Sequence, residues 1–373
     1  MAIRRKLIAG ITSLLSVMLS GVVQAASKLN MRPGVTETSL EAYDLHMMVI
    51  WVMVGISVVV FGAMFYSFIK HRKSKNPTPA KFSHSTKMEI IWTAIPILIL
   101  IYLTIPSVKL LIKMEDASNP EMSIQVTGSQ WKWHYKYLDQ DIEFFSNLDR
   151  SIKTDDPLYL LAVDNELVIP INTKVRFLVT AEDVIHSWWV PDLAVKKDAI
   201  PGFINETWTN VPTPGTYRGQ CTELCGKDHG FMPVVVKAVS KADFKKWVAG
   251  KDAERMVAEK AAAAAAAASW DMDKLMALGK ETYDLKCASC HKVDGTGIAG
   301  AFPALKDSAV AVGPVETHMS IVVNGTSKGM QAFGKQLTDA ELAAVITYER
   351  NAWGNNAGDK VTPADIQAFK AGN

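Results

Sequence analysis

Little in this chain suggests a partner recognised by bulk charge. Its 373 residues carry 40 Lys and Arg against 38 Asp and Glu, a net charge of +2. A protein that holds nucleic acid through phosphates needs a basic surplus, so nucleic acid is excluded as an expected partner. Cysteine is scarce too: the chain has four, in two close pairs, Cys221/Cys225 and Cys287/Cys290. Close pairs near histidines suggest metal or haem chemistry before they suggest a disulfide framework. No histidine-rich segment accompanies the first pair and no βαβ pattern surrounds the second. Long apolar runs are missing from the last two-thirds of the chain, which reads as soluble protein. The length suits two or three domains.

The first third is different. Met1 to Ala25 has the three parts of a secretory signal: Arg4, Arg5 and Lys6, an apolar stretch from Leu7 to Val23, and Val23-Gln24-Ala25 as a small-residue cleavage site. The competing reading is a retained first membrane span, and the well-formed small-residue ending favours cleavage. Residues 26–114 are expected to form a transmembrane hairpin with spans at about 46–69 and 90–112, since roughly 20 helical residues cross about 30 Å of hydrocarbon. Pro96 and Pro106 fall in the second span, where neighbouring helices can re-satisfy the freed carbonyls. Between the spans, Lys70 to Met88 holds Lys70, Arg72, Lys73, Lys75, Lys81 and Lys87 and no acidic residue. The positive-inside rule makes this loop cytoplasmic and sends everything after about Glu115 to the outer face.

Residues 115–240 read as an all-β domain. Segments such as Thr173 to Val179 are rich in β-branched and aromatic residues, and Pro201-Gly202 and Pro214-Gly215 mark turns between them. Several short strands of this kind suggest a Greek-key sandwich or barrel. Ser240 with Asp243 marks a helix start. Residues 241–272 then form a linker containing the run Ala261 to Ala268, which reads as a semi-rigid helix with a disordered tether as the competing reading. Residues 273–373 read as helical and rich in loops, with Thr338 and Glu341 as a capping box before a helix to about Arg350.

The densest motif runs Cys221-Thr222-Glu223-Leu224-Cys225-Gly226-Lys227-Asp228-His229-Gly230-Phe231-Met232. It offers two thiolates, an imidazole and a thioether, and His186 lies upstream in Asp183-Val184-Ile185-His186-Ser187-Trp188-Trp189. Thiolate and thioether are soft ligands that favour copper. One thiolate, two histidines and a methionine would describe a mononuclear blue-copper site. A second thiolate on the same loop allows two metal ions bridged by the sulfurs, with one histidine for each. A Cys₂His₂ zinc site and a disulfide compete with this reading. Zinc does not explain Met232, and a disulfide explains neither histidine.

The second pair, Cys287-Ala288-Ser289-Cys290-His291, has the spacing of a c-type haem attachment site. The thiols add to the haem vinyl groups and His291 becomes an axial ligand. A thioredoxin-like pair is the alternative, and the missing βαβ context argues against it. The opposite axial ligand is expected at Met330, in a glycine-containing loop before the final helix. His318 and Met319 compete but fall on a segment that reads as helix.

From about Leu40 to Ser240 the chain resembles subunit II of cytochrome c oxidase. The resemblance rests on the cysteine loop, on Gly128-Ser129-Gln130-Trp131-Lys132-Trp133-His134-Tyr135-Lys136-Tyr137, on Asp198-Ala199-Ile200-Pro201-Gly202 and on Glu89-Ile90-Ile91-Trp92-Thr93. The C-terminal segment, through Phe302-Pro303-Ala304-Leu305 and the closing helix at Tyr348, resembles a class I cytochrome c. The resemblance implies a multidomain chain: a two-helix transmembrane hairpin, an all-β cupredoxin Greek-key domain and an all-α class I cytochrome c domain. It implies two copper ions held by His186, Cys221, Cys225, His229, Met232 and the backbone carbonyl of Glu223. It further implies Trp131 as the surface residue through which electrons reach the copper, the Glu223 side chain at a magnesium shared with subunit I, and Glu89 at the mouth of a proton pathway. Implied partners are oxidase subunits I and III and a c-type cytochrome donor, at a bacterial inner membrane with both soluble domains on the periplasmic face. The cofactors would be two copper ions, one covalently bound haem c and the shared magnesium. Copper-dependent nitric oxide reduction in a partner subunit, and membrane-anchored copper delivery, stand as alternative functions.

Overall fold

Apolar runs of this length bury their backbone polar groups by becoming helices, and α1 (Glu37–Lys70) and α2 (Thr86–Glu115) do so. The computed structural model describes residues 30–78, 81–326 and 329–372, so the expected signal segment 1–25 lies outside the described residues. Both helices are long and apolar enough to cross a membrane. Their large side chains, among them Trp51, Phe68, Ile90 and Trp92, are exposed. In water such a surface would be costly; a lipid environment removes the cost, and the pair is a membrane anchor. Both helices outrun the spans expected from hydropathy. For α1 the reason is a capping box that hydropathy does not register: Thr36 Oγ1 accepts from the Ser39 amide (3.1 Å) and Ser39 Oγ accepts from the Thr36 amide (2.8 Å).

The next segment forms two five-stranded sheets. The first is ordered β3 (Ile142–Ser146), β2 (Lys132–Tyr137), β1 (Met122–Ser129), β5 (Val175–Ala181) and β8 (Asn205–Thr209). The second is ordered β4 (Leu167–Pro170), β10 (Pro233–Val239), β9 (Gly215–Cys221), β6 (His186–Val190) and β7 (Val195–Ala199). β1 pairs with β5 and β10 with β4 in parallel, while the other neighbours are antiparallel. Alternation drives the packing. In β5 the side chains of Val175, Phe177, Val179 and Ala181 turn inward while Arg176, Leu178 and Thr180 turn away from the core. Inward residues from both sheets, with Trp133, Tyr135, Tyr137 and Trp188 fully buried, make one aromatic-rich core.

The sandwich is tied to the anchor. Thr36 Oγ1 donates to the Leu193 carbonyl (3.2 Å), Trp208 Nε1 donates to the Lys113 carbonyl (3.2 Å), and Lys197 pairs with Glu115 (2.9 Å). Helix α3 (Lys241–Ala267) then leaves from a Ser240 cap. Its first turns lie on the sandwich, where Phe244 and Trp247 pack beside Tyr137. The alanine run expected as a linker is the far half of this helix, and it leans on the C-terminal domain, with Gln367 Nε2 donating to the Ala262 carbonyl (3.4 Å). Methyl side chains let the two backbones approach, so the linker is a strut packed at both ends.

The last domain has α4 (Met272–Lys286), the short α5 (Ala288–His291), α6 (Val315–Asn324), α7 (Asp339–Asn351) and α8 (Pro363–Gly372). α4 and α7 cross at Gly279, where a Cβ would stand 2.2 Å from the Ala344 carbonyl oxygen, so only glycine permits the crossing. α7 begins at the Thr338/Glu341 capping box read from the sequence. Phe177 is fully buried with its ring centroid 4.8 Å from that of Trp188. Phe177→Ala is therefore expected to destabilise the sandwich by about 3–5 kcal/mol. A lower urea midpoint of tryptophan fluorescence is the measurement, and an unchanged midpoint would contradict this core assignment.

Candidate metal centre

Three strands of the second sheet converge on one end. β9 stops at Cys221, β10 starts just after Met232, and Gln220 faces Pro233 across the pair, so the loop 222–231 closes between fixed ends. The Cys221 amide donates to the Met232 carbonyl at 3.0 Å, locking that neck. β6 flanks β9 on the other side, with Trp188 opposite Cys221, and begins at His186. The sheet register thus delivers His186, Cys221 and Met232 to one place from three separate stretches of chain.

Inside the loop the donors line up. Cys221 Sγ and Cys225 Sγ are free thiols 3.8 Å apart. His186 Nδ1 is 3.9 Å from Cys221 Sγ, and His229 Nδ1 is 3.4 Å from Cys225 Sγ. The Glu223 carbonyl oxygen lies 3.3 Å from Cys221 Sγ, and Met232 is buried. The ligand atoms of His186, Cys221 and Cys225 fall within 4.8 Å of one another, and His229, bound at Cys225, does not join that group. Each sulfur has its own histidine. This is not the single tetrahedron of a closed Cys₂His₂ zinc site.

The neighbourhood prepares these donors. The His186 Nε2–H donates to Asp183 Oδ1 at 2.9 Å, which leaves Nδ1 free to face Cys221. The other Asp183 oxygen accepts from the Gln130 amide at 2.7 Å. Burial alone would raise the Asp183 pKa, and these hydrogen bonds reverse that and hold it below the usual carboxylate range. At Cys221 burial opposes the thiolate, yet the adjacent His186 and backbone groups outweigh it and lower its pKa. Cys225 moves the other way, raised by burial and by the charge of Cys221 beside it. Gly128 makes room for the imidazole, since a Cβ there would stand 2.9 Å from His186 Cδ2. Gln130 Nε2 and Trp131 Nε1 both donate to the Cys225 carbonyl, at 2.8 and 3.2 Å.

The second pair sits in the helical domain. Cys287 ends α4, and Cys290 and His291 follow within α5. His291 is buried and its Nδ1–H donates to the Pro303 carbonyl at 2.8 Å, so Nε2 keeps its lone pair. That is the tautomer an iron ligand needs. Met330 is half-buried in the loop after α6, packed against the domain core. His318 lies on α6 as expected, where its Nε2 is 2.8 Å from Glu349 Oε2 and both are buried; Met319 is part of the core.

Two expected site residues stand apart. Glu223 is exposed although its carbonyl approaches Cys221 Sγ, and Glu89 lies in the first turn of α2. Sequence reasoning missed Asp183, Gly128, Gln130 and the Pro303 carbonyl. Asp183 sat three residues before His186 in plain view, but its role needs the β6 register. Pro303 adjoins the haem motif only after the loop folds back.

Comparison with known proteins gives the family. Residues 122–239 match the family model for the periplasmic domain of cytochrome c oxidase subunit II, and residues 24–110 match that for its transmembrane domain. Residues 274–348 match the model for subunit III of cbb3-type cytochrome c oxidase. A probable cytochrome c oxidase subunit 2 of Rickettsia bellii is 46% identical over 228 residues, 60% of this chain and 84% of that protein. Cytochrome c oxidase subunit 2 of Cyanidium caldarium is 40% identical over 215 residues, 56% of this chain and 84% of its own length. The crystal structure of the periplasmic domain of subunit II from Bradyrhizobium japonicum is 42% identical, covering 37% of this chain and 98% of that one, with a TM-score of 0.35. With two apolar helices, a metal-ready sandwich and a helical cytochrome c domain in sequence, this chain belongs to the cytochrome c oxidase subunit II family, a component of an oxidoreductase complex.

Proposed function

We propose that this chain is the subunit through which electrons pass from a c-type donor to the oxygen-reducing subunit I of a respiratory oxidase. The observation that carries the reading is the pair of free, buried thiols 3.8 Å apart, each with its own histidine nitrogen, at 3.9 and 3.4 Å. Two soft thiolates, two imidazole nitrogens, a thioether and a carbonyl suit copper. Cys221, Cys225, His186, His229, Met232 and the Glu223 carbonyl would together hold two copper ions, a set that leaves no donor unused. When bound, the copper pair and a haem on Cys287, Cys290 and His291 supply one-electron chemistry and need no substrate at the metal.

The rest is the work of the residues. Asp183 fixes the His186 tautomer, and Gly128 gives the ring its place. The β9–β10 neck holds the thiols in a rigid frame, so that ligand positions change little with redox state. Burial of Cys221, Cys225 and Met232 to 2%, 2% and 1% exposure suits a resident cofactor and not a copper-delivery site, which must open. In the haem domain, Met330, packed against the core, would hold the iron opposite His291. His318 sits within α6, on a helix and not on a loop that can fold over the haem. Trp131, hydrogen-bonded to the Cys225 carbonyl, is the aromatic through which electrons reach the copper loop. On this reading the exposed Glu223 side chain would help hold a magnesium shared with subunit I, and Glu89 would border a proton pathway. Subunit III completes the assembly, and the chain sits in a bacterial inner membrane with both soluble domains in the periplasm.

Three outcomes are expected. In the assembled oxidase, Cys221→Ser should abolish oxygen uptake while the haem is still reduced by the donor; continued turnover would refute the copper route. Asp183→Asn should weaken copper binding about 10–100-fold, read by competition with a chelator of known affinity, and an unchanged affinity would remove Asp183 from the site. Met330→Leu should lower the haem potential by tenths of a volt, within the ~0.8 V range that axial ligands set. An equal fall in Met319→Leu, with none in Met330→Leu, would move the ligand to α6.

A further inference from the structure

Inside the haem domain lies a buried charge that the relay does not use. Glu349 on α7 and His318 on α6 face each other, each 3% exposed at its side chain, with His318 Nε2 2.8 Å from Glu349 Oε2. Their neighbours decide the charge of the pair. Arg350, next along α7, is already balanced: Nε and Nη2 donate to the two Asp359 oxygens at 2.8 and 2.7 Å. Its Nη1 donates to the Ala311 and Gly313 carbonyls at 2.8 and 3.0 Å.

The other ring nitrogen is the informative atom. His318 Nδ1 is buried and meets no hydrogen-bond partner. An imidazolium would strand a charged N–H there, whereas a neutral ring with its proton on Nε2 strands only a lone pair. His318 is therefore the neutral donor and Glu349 the carboxylate that accepts, so the pair carries one negative charge. That charge is felt where the haem attaches. The Cys287 thiol at the end of α4 is pushed well up by burial and by the Glu349 charge beside it, and the Tyr283 hydroxyl on the same helix is raised by the same two causes.

A carboxylate buried without a counter-cation is costly. On the haem reading above, on which this inference rests, ferric iron supplies the missing positive charge when the group is bound. We propose that Glu349 is a potential-setting residue of the haem domain: its buried carboxylate favours the ferric state, and His318 is the neutral donor that holds it in place. Its sign opposes that of the methionine. Met330 opposite His291 raises the potential, and Glu349 draws it back down, which keeps the haem able to pass its electron on.

Redox titration of the full chain with its cofactors bound, followed by haem absorption, tests this directly. Glu349→Gln keeps the shape and removes the charge. At a fixed applied potential its ratio of ferrous to ferric haem should rise about tenfold, or about 59 mV for one electron. Glu349→Asp keeps the charge and should stay within about threefold of the unaltered chain. His318→Gln, whose amide can replace the Nε2–H, should stay as close. An equal rise in both Glu349 substitutions would trace the effect to packing and overturn the proposal. A Glu349→Gln haem that titrates like the unaltered chain would also overturn it. So would a His318→Gln haem shifted as far toward ferric, because His318 would then be the cation that cancels the charge. A chain that carries no covalently bound haem would overturn the haem reading first, and this inference with it.

Discussion

Everything in the sandwich serves one constraint: two thiols must stay 3.8 Å apart in a buried place without closing on each other. A loop alone cannot do this, because thiols on flexible backbone find a disulfide or solvent. The loop 222–231 is instead clamped at both ends by adjacent strands, with the Cys221 amide bonded to the Met232 carbonyl. A third strand brings His186 against Cys221, and Asp183 fixes its ring. The rigidity that the chemistry needs is a property of the sheet register, and the donors inherit it.

The same logic extends outward. A centre that exchanges electrons with a membrane-embedded partner must sit at a set height and angle. The hydrogen bonds from Thr36 to Leu193 and from Trp208 to Lys113, with the Lys197–Glu115 pair, join the sandwich to both apolar helices. On the far side α3 packs on the sandwich at Phe244 and on the haem domain near Ala262. The chain places the copper loop between a fixed membrane anchor and a strut-supported haem domain.

Much of this was legible in the residue order. Donor side chains that share a loop show themselves by spacing, as Cys221 through Met232 and Cys287 to His291 do, and the fold gathers the first set. Capping at Ser240 and Thr338 was equally local. What escaped were relations between strands. Gly128 reads as an ordinary strand glycine until β1 is seen lying against the His186 ring, and Lys132 reads as a solvated charge until Gln331 and Gln336 cover it. The length of α1 depended on the Thr36 cap, which hydropathy does not weigh. The alanine run lies in the helix its composition favours, while its packing against Gln367 depends on an approach that only the fold creates.

The account stands on the claim that Cys221 and Cys225 bridge two copper ions. Electron paramagnetic resonance of the oxidised full chain, combined with copper and haem quantification, measures this most directly. Two coppers per covalently bound haem, with a multi-line signal from one electron shared over both nuclei, is the expected result. One copper with a simple four-line signal, or zinc in its place, would contradict it.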